Sequence, residues 1–377
     1  MTKLSNLTVA FCGLAVSLGL TACGGDDPVG GGSQSGSSEV AEGGDVSGKL
    51  TISNWPGYID PGKDGTEAEF ENEFGVDIDY IEDVNDNASF FGKVQPQLEQ
   101  GESGGRSIFV VTDWMAAQMH DLGYLQDIDK EAVPNVVENL RPDLAGPDFD
   151  PERDYSVPWQ TGMTGIWVNT DEAPDVESVN DLFDPKYKGR VTMLSELRDT
   201  VPLVMKADGV DPKEASTEDW LAAVDKIRDA AESGQIRRFT GNDYTEDITS
   251  GNVVAAIGWS GDASLISNQA AEWRMPAEGC MLWSDNMVFP IGAPNEAAAL
   301  EFANYVYDPE VQADIAEYVT YVTPVDGVQE VLEQRDSELA ANELIFPSDE
   351  FTADCTTQVD PPDVEEVTEA FEDVITG

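Results

Sequence analysis

Histidine, cysteine and basic residues are all scarce in this sequence. The chain has 377 residues but one His and four Cys, and 20 Lys and Arg stand against 74 Asp and Glu, for a formal net charge of −54. Because His120 is the one histidine, any Ser-His or Cys-His nucleophilic set would have to use it, so catalysis has little support. Cys and His in metal-ligand spacing are also missing, and we expect neither a structural metal nor a cofactor.

The scarcity of basic residues also limits the partners. Nucleic acid is bound through clustered Lys and Arg, and Arg237-Arg238 is the one basic pair in the chain, so we expect no nucleic-acid partner. The excess of acids has three interpretations: a solvated surface adapted to high salt, attraction of a polycationic ligand, or an acidic surface that contacts another protein. Salt adaptation is favoured because the acids run along the whole chain.

The one long apolar stretch lies at the amino terminus. Residues 1–22 contain a basic start, an apolar run and small residues but no acid, which is typical of a secretory signal peptide. Leu20-Thr21-Ala22-Cys23 resembles the lipobox of bacterial lipoproteins, so we expect Cys23 to carry lipid and to anchor an exported protein to the cell envelope. Residues 23–47 are rich in Gly, Ser and acids and predict a flexible tether.

Two cysteines remain once the signal peptide is removed and Cys23 carries lipid. These are Cys280 and Cys355. An exported protein meets an oxidising environment, so a disulfide between them is the favoured interpretation. Two unpaired buried cysteines are the alternative.

Strand-like and helix-like segments alternate from Lys49 onwards. Strands are predicted at 49–53, 76–81, 107–111, 165–169, 189–193 and 253–259. Helices are predicted at 66–74, at 88–98, from Trp114, at 217–233 with Thr217 as N-cap, and over most of 324–377. This alternation indicates an α/β fold with a largely parallel sheet.

Aromatic residues and acids follow the predicted strands. Ligands of such sheets bind beyond the carboxyl ends of the strands, where residues 54–58 and 112–114 fall. The aromatic residues at strand ends or in loops are Trp55, Tyr58, Trp114, Trp259, Trp283 and Tyr321, and the acids close to them are Asp113, Asp262 and Asp285. Aromatic faces attract organic cations and carboxylates bind ammonium groups, so the set predicts a pocket for a slender diamine. Core packing is the alternative for any single Trp.

The residues around this pocket resemble those of the bacterial polyamine-binding proteins, the spermidine/putrescine receptors of ATP-binding-cassette (ABC) importers. The resemblance covers nearly the whole mature chain. Its marks, in family order, are Asn54-Trp55-x-x-Tyr58, Phe109-Val110-Val111, Asp154-Tyr155-Ser156-Val157-Pro158-Trp159, Asp184-Pro185-Lys186-Tyr187-Lys188-Gly189, Ile257-Gly258-Trp259-Ser260-Gly261-Asp262 and Tyr321-Val322-Thr323-Pro324.

The resemblance implies a type II periplasmic-binding-protein fold of two lobes, each a mixed sheet flanked by helices, with the ligand in the cleft between them. Lobe 1 would comprise 48–162 and 286–330, and lobe 2 would comprise 163–285 and 331–377. The implied function is to capture putrescine or spermidine as a monomer and to deliver it to the permease of an importer with a cytoplasmic ATPase.

The resemblance also implies the ligand-binding residues. Matched position by position, they are Trp55, Tyr58, Thr112, Trp114, Glu196, Asp199, Trp259, Asp262, Trp283, Asp285, Tyr321 and Gln358. Two positions depart from the family pattern, because Pro56 replaces a hydroxyl residue and Gly57 replaces an acid. The resemblance therefore does not decide which polyamine is preferred. Asp262 matches an acid of the putrescine-binding branch, whereas Glu196 and Asp199 match acids of the spermidine-binding branch.

Three other functions are compatible with the sequence. The same fold could bind a different amine, a metal complex or an anion, although carboxylates disfavour anions. A secreted two-domain hydrolase could use an acid pair such as Glu196 and Asp285. An acidic adhesion protein would contact other proteins and bind no small molecule.

Overall fold

The computed structural model describes residues 46–377. The predicted signal peptide, the predicted lipidation site Cys23 and the predicted tether up to residue 45 lie outside the described residues. The strands are β1 Gly48–Asn54, β2 Val76–Glu82, β3 Ile108–Thr112, β4 Val157–Asn169, β5 Val191–Leu194, β6 Ile236–Thr240, β7 Ala255–Trp259, β8 Ala271–Arg274, β9 Met281–Val288 and β10 Thr356–Thr357.

The α-helices lie mainly between these strands and after the last long one. They are α1 Thr66–Phe74, α2 Asn87–Leu98, α3 Asp113–Asp121, α4 Pro134–Asn139, α5 Leu197–Ala207, α6 Thr217–Glu232, α7 Tyr244–Thr249, α8 Glu296–Tyr305, α9 Pro309–Val319, α10 Val328–Arg335 and α11 Val364–Thr376. None of the helices described is long and apolar enough to cross a membrane.

The strands form one mixed sheet in the order β2-β1-β3-β9-β4-β7-β5-β6, with β10 beside β9 and β8 beside β4. At its two ends the pairing is parallel, between β1 and its neighbours β2 and β3 and between β5 and its neighbours β6 and β7. In the middle, β4 and β9 are antiparallel to each other and to their neighbours β7 and β3. The predicted α/β class is confirmed, and the expectation of a largely parallel sheet is wrong for this middle part.

The antiparallel middle has a simple cause in the chain. Parallel neighbours need a crossover that is usually a helix, and no α-helix separates β7, β8 and β9 along the chain. β8 and β9 instead follow one another along β4, with Trp167 opposite Trp273 and Gly162 opposite Trp283. The long strand β4 therefore pairs in antiparallel fashion with both β8 and β9.

The elements near the amino end begin and end almost where the sequence predicts. Helix α1 buries Phe70, and Gly75 ends it in the left-handed conformation at φ 70°, where its N–H bonds to the carbonyl of Glu71. In strand β2, which lies at one edge of the sheet, Val76 is the one buried residue.

Two helix predictions are wrong in detail. The N-cap of α6 is Ser216 rather than Thr217, because Asp219 lies at the spacing that completes a capping box with Ser216. The stretch between α10 and α11, residues 336–363, is mostly irregular although 324–377 was predicted to be mainly helical. Pro347, Pro361 and Pro362 lie in this stretch, and proline interrupts a helix.

The predicted disulfide is present. Cys280 and Cys355 are bonded to each other, with their Cα atoms 4.4 Å apart. The bond joins the residue before β9 to the residue before β10.

The two sets of parallel strands run in opposite directions, and their carboxyl ends face each other near the middle of β4 and β9. Strands β1 and β3 end at Asn54 and Thr112 at one end of the sheet, and β5 and β7 end at Leu194 and Trp259 at the other. The loops that follow carry most of the aromatic residues and acids that the sequence analysis singled out. Parallel pairing thus gathers residues that are far apart in the chain.

Candidate ligand-binding site

A cavity lies where the loops after these strands meet. It holds about 370 Å³ of empty space, including its opening to solvent. Its lining residues are Trp55, Pro56, Tyr58, Asn87, Thr112, Glu196, Asp199, Asn242, Trp259, Asp262, Trp283, Asp285, Tyr321 and Gln358. The structure thus brings all predicted site residues except Trp114 to one cavity.

Four of the lining residues are acids, and none of the lining residues is Lys, Arg or His. Glu196, Asp199, Asp262 and Asp285 are each buried, with 2–6% of their surface exposed. A buried carboxylate is costly unless hydrogen bonds or a cation compensate its charge. Each of these acids accepts hydrogen bonds from neutral groups, as described next.

Asp285 receives one hydrogen bond on each oxygen. The Tyr58 hydroxyl donates to Oδ2 at 3.0 Å, and the Thr112 hydroxyl donates to Oδ1 at 2.7 Å. The donors follow β1 and end β3, whereas Asp285 lies in β9, so the carboxylate ties three strands together at the cavity.

Glu196 contacts the amino-terminal end of α2. Its Oε1 accepts hydrogen bonds from the Asn87 backbone N–H at 2.7 Å and from the Asn87 side-chain amide at 2.9 Å. The same amide donates to the Thr112 hydroxyl at 2.9 Å. Asn87 therefore links Glu196, which follows β5, to Thr112, the hydroxyl donor of Asp285.

Asp199 and Asp262 lie on the side of the cavity formed by the loops after β5 and β7. Asp199 Oδ1 accepts from the Thr164 hydroxyl and from the Gln358 amide, both at 2.7 Å, and Oδ2 accepts from Trp259 Nε1 at 3.2 Å. Asp262 accepts from three groups: the hydroxyls of Tyr244 and Tyr321 and the Asn242 amide, the last at 3.1 Å. Every donor to these acids is neutral.

Burial raises the pKa of these carboxyls. The pKa of Glu196 rises to about 8, that of Asp285 to about 7 and that of Asp262 to about 6, in each case mainly because the charged form loses its hydration. The pKa of Asp199 is raised for the same reason. Hydrogen bonds from the neutral donors oppose the rise but do not cancel it. A bound cation would favour the ionised forms and lower these pKa values.

Aromatic rings form the rest of the wall. Trp259 meets Trp55 edge to face with centroids 5.4 Å apart and meets Trp283 at 6.4 Å. Tyr321 meets Tyr58 at 5.1 Å and Trp283 at 5.5 Å. These five aromatic side chains line the same cavity as the four acids, and such a combination suits aliphatic cations.

Trp114 is the one predicted ligand-binding residue that does not line the cavity. The Arg198 guanidinium covers its ring at 4.0 Å from the centroid and also bonds to Asp360 Oδ1 at 2.7 Å. An internal cation therefore occupies the aromatic face that was expected to meet the ligand. Local sequence could not reveal this contact, because Trp114 and Arg198 belong to different helices, α3 and α5.

The backbone conformation at position 57 favours glycine. Gly57 has φ 63°, and a Cβ there would lie 2.5 Å from a methyl group of Leu265. Its N–H donates to Glu82 at 2.7 Å. The acid that the family pattern has here would be strained in this loop, because only glycine adopts this backbone conformation readily.

His120 and Asp113 also lie outside the cavity wall. His120 is 42% exposed and stacks on Tyr155 with ring centroids 3.7 Å apart, as expected for a surface residue. Asp113 is not a lining residue; its Oδ1 accepts from the Asn286 amide at 2.7 Å, and burial raises its pKa to about 6.

Sequence reasoning missed Asn87 and Asn242. Both line the cavity and donate to its acids. Asn87 follows Asp86, whose side chain caps α2, and Asn242 precedes α7. Both asparagines come shortly after a strand, β2 or β6, and this position could have indicated a place at the cavity. Asparagine is so common at helix starts that this signal did not distinguish them.

Within residues 46–377 no group of three or more His, Cys, Asp or Glu is arranged to hold a metal ion. The cavity acids are directed at neutral donors and aromatic rings instead.

The mixed sheet and its cavity define the class of the protein. The fold is that of the two-lobe periplasmic binding proteins. Residues 67–347 match the family described as bacterial extracellular solute-binding protein, and the chain belongs to this family.

Curated relatives and a solved structure resemble the chain over most of its length. It is 27% identical to the spermidine/putrescine-binding periplasmic protein of Escherichia coli K12 over 307 residues, 80% of this chain and 84% of the relative. It is 28% identical to the putrescine-binding periplasmic protein PotF of the same organism over 353 residues, 87% of this chain and 91% of the relative. The spermidine/putrescine ABC transporter substrate-binding protein of Streptococcus pneumoniae superposes with a TM-score of 0.69 at 25% identity, covering 87% of this chain and 97% of that one.

Proposed function

We propose that the protein captures a small polyamine, putrescine or spermidine, and delivers it to the permease of an ABC importer. The proposal rests on one observation: four buried acids line the cavity, and no Lys, Arg or His lines it. Glu196, Asp199, Asp262 and Asp285 offer negative charge that no protein cation neutralises within the cavity. Ammonium groups would supply that charge, and the aromatic rings would pack against the methylenes between them.

The proposal assigns roles to the parts of the cavity. Asp285, with Tyr58 and Thr112, would bind one ammonium group, and Glu196 with Asp199, or Asp262 on the same side, would bind another. Trp55, Trp259 and Trp283 would flank the aliphatic chain. The names of the relatives, which bind spermidine or putrescine, support this ligand class.

The cellular setting is part of the same proposal. The protein would be an exported lipoprotein whose Cys23 anchors it to the envelope, and it would act as a monomer. The lobes would comprise 48–162 with 286–330 and 163–285 with 331–377, and their closure on the ligand would present the loaded form to the permease. The role is binding and delivery rather than catalysis, which agrees with a family of solute-binding proteins.

Isothermal titration calorimetry of the full-length protein tests the proposal. Putrescine, spermidine and spermine should be titrated at high and at low salt, with glutamate as an anionic control. We expect saturable binding of at least one polyamine and none of glutamate. Binding of none of the three polyamines would refute the proposal.

The second candidate is a different small amine in the same cavity. Pro56 and Gly57 replace the hydroxyl and acid of the family pattern, so contacts that polyamine receptors use are missing at one side of the cavity. A thermal-shift screen that adds monoamines and guanidino compounds to the polyamine panel would reveal such a ligand. A larger shift with one of those amines than with every polyamine would favour this candidate.

A further inference from the structure

A disulfide lies beside the cavity. Cys280 immediately precedes β9, which carries the lining residues Trp283 and Asp285, and Cys355 immediately precedes β10, which is followed by the lining residue Gln358. The bond therefore joins two segments that both contribute side chains to the cavity.

Besides the disulfide, a short ladder and a few side-chain bonds hold the segment that carries Gln358, among them the bond from the Arg198 guanidinium to Asp360 Oδ1 at 2.7 Å. Residues 336–363 contain a single strand, the two-residue β10, which pairs in parallel with Met281 and Leu282. The Thr356 N–H donates to the Cys280 carbonyl at 2.9 Å, and the Gln358 N–H donates to the Leu282 carbonyl at 2.8 Å. Two backbone hydrogen bonds offset only part of the conformational entropy that a long irregular segment loses when it is held in one place.

The two segments also approach at backbone distance. A Cβ at Gly279 would lie 1.8 Å from the Asp354 carbonyl oxygen, so only glycine fits there. Lys206 Nζ donates to the same carbonyl at 2.9 Å and to the Thr356 hydroxyl at 3.0 Å. These contacts guide the segment to β9, and the disulfide is the one covalent link between them among the described residues.

The contact between this segment and β9 places Gln358 at the cavity. Its amide donates to Asp199 Oδ1 at 2.7 Å, and Asp199 is 2% exposed. If the segment moved away, Asp199 would lose a donor and the cavity would lose part of its wall. The position of Gln358 therefore affects both the orientation of an acid and the shape of the cavity.

We propose that the Cys280–Cys355 disulfide is a positioning element of the binding site, which holds Gln358 against Asp199 so that ligand affinity depends on it. The inference rests on the proposed function. Reduction by dithiothreitol breaks the S–S bond and yields two thiols, and the reductant is oxidised to its cyclic disulfide. No group of the cavity takes part in this exchange.

A double-mutant cycle on affinity tests the coupling. The disulfide-free variant Cys280→Ser/Cys355→Ser, the variant Gln358→Ala and the triple variant are titrated with the tightest-binding polyamine. We expect the first two to raise Kd about tenfold each, and the triple variant to add no more than about a further twofold, because both changes remove the same contact. Full additivity, or an unchanged Kd in the disulfide-free variant, would overturn the inference.

A stability control separates positioning from folding. Val367→Ala removes buried volume from α11, which packs on α6 away from the cavity, and should lower the thermal midpoint without changing Kd. If Val367→Ala raised Kd as much as loss of the disulfide, the effect would be one of stability and the inference would fail. Should the disulfide-free variant not fold, the native protein treated with dithiothreitol replaces it.

Hydrogen exchange provides a readout that needs no ligand. Peptides covering 354–360 should lose protection when the disulfide is absent, whereas peptides covering β1 should keep theirs. Retained protection at 354–360 would contradict the positioning role. If the disulfide-bonded protein bound none of the amines, the proposed function would fail by itself, and the exchange result would still decide whether the disulfide positions Gln358.

Discussion

The Tyr58 hydroxyl donates a hydrogen bond of 3.0 Å to Asp285 Oδ2 and so joins the loop after β1 to strand β9. Both residues are buried, and the pKa of each is raised mainly by the loss of hydration. The Thr112 hydroxyl occupies the other oxygen. Asp285 is thus a carboxylate surrounded by neutral donors, and a cation in the cavity would be its first opposite charge.

Replacing Asp285 with Asn should weaken polyamine binding at least tenfold, which corresponds to about 1.4 kcal/mol or more. The change keeps the shape but removes the charge that an ammonium group needs, and calorimetry measures the effect. Asp113→Asn is the matched control, because Asp113 is a half-buried acid of the same region that does not line the cavity. Equal affinity in the Asp285 variant and the native protein would show that the ligand binds elsewhere.

Stability of the ligand-free protein should fall as pH rises from about 4 to about 8. The folded-state pKa values of Glu196, Asp285 and Asp262, about 8, 7 and 6, lie above the ordinary values of 4.5 for Glu and 3.8 for Asp. In this window the folded protein binds more protons than the unfolded chain, so raising the pH favours unfolding. Urea unfolding across the window measures the change.

Glu196→Gln should reduce this pH dependence most between about pH 6 and about pH 8, because it removes the group with the highest pKa. The same ionisations couple to the ligand. Cation binding favours the charged carboxylates, so it should release protons, which calorimetry in buffers of different ionisation enthalpy detects. The interpretation would be wrong if Glu196→Gln and the native protein lost stability with pH to the same extent.

Gly241→Ala should weaken ligand binding, because a Cβ at this position would lie 1.9 Å from the Asn85 carbonyl oxygen. The clash is with a backbone atom, which cannot move aside as the end of a flexible side chain can. The loops that carry Asn87 and Asn242 would therefore have to move apart. Gly92→Ala in α2 is the control, since a Cβ there meets nothing within 4 Å and Ala favours the helix. Equal Kd values for the two variants would contradict the expected role of this contact.

Salt should stabilise the fold. With a net charge of −54 the protein repels itself at low ionic strength, and about 1 M salt reduces the screening length to about 3 Å. We expect the thermal midpoint to rise from about 0.1 M to about 3 M KCl, with potassium sulfate as a control for salt effects other than screening. An unchanged midpoint would remove the support for salt adaptation as the origin of the acidic surface.

Several features could be predicted from the sequence because their causes are local. Helix α1 ends at Gly75 since that residue alone adopts the left-handed cap without strain. Trp55, Tyr58 and Thr112 could be expected at the cavity because they follow strands whose parallel neighbours end at the same edge. The cysteine pair could be expected to bond from the export signal, although only the fold shows that Cys355 lies next to the segment of Gln358.

Other features depend on contacts between residues distant in the chain. Trp114 was expected at the ligand, but Arg198 of α5 covers its ring. The roles of Asn87 and Asn242 could not be predicted, because an asparagine at a helix start looks the same whether or not an acid from another loop lies opposite. The antiparallel middle of the sheet escaped prediction because β8 and β9 follow one another along β4.

The sequence by itself determined the solvent-facing chemistry, the alternation of strands and helices, and the residue types at the strand ends. These depend on composition and on periodicity within a few residues. Only the tertiary structure decided that four acids share one cavity without a base, that burial raises the pKa values of those acids, and that the disulfide lies beside Gln358. Each of these depends on the distance between side chains in space, which the order of residues along a chain does not contain.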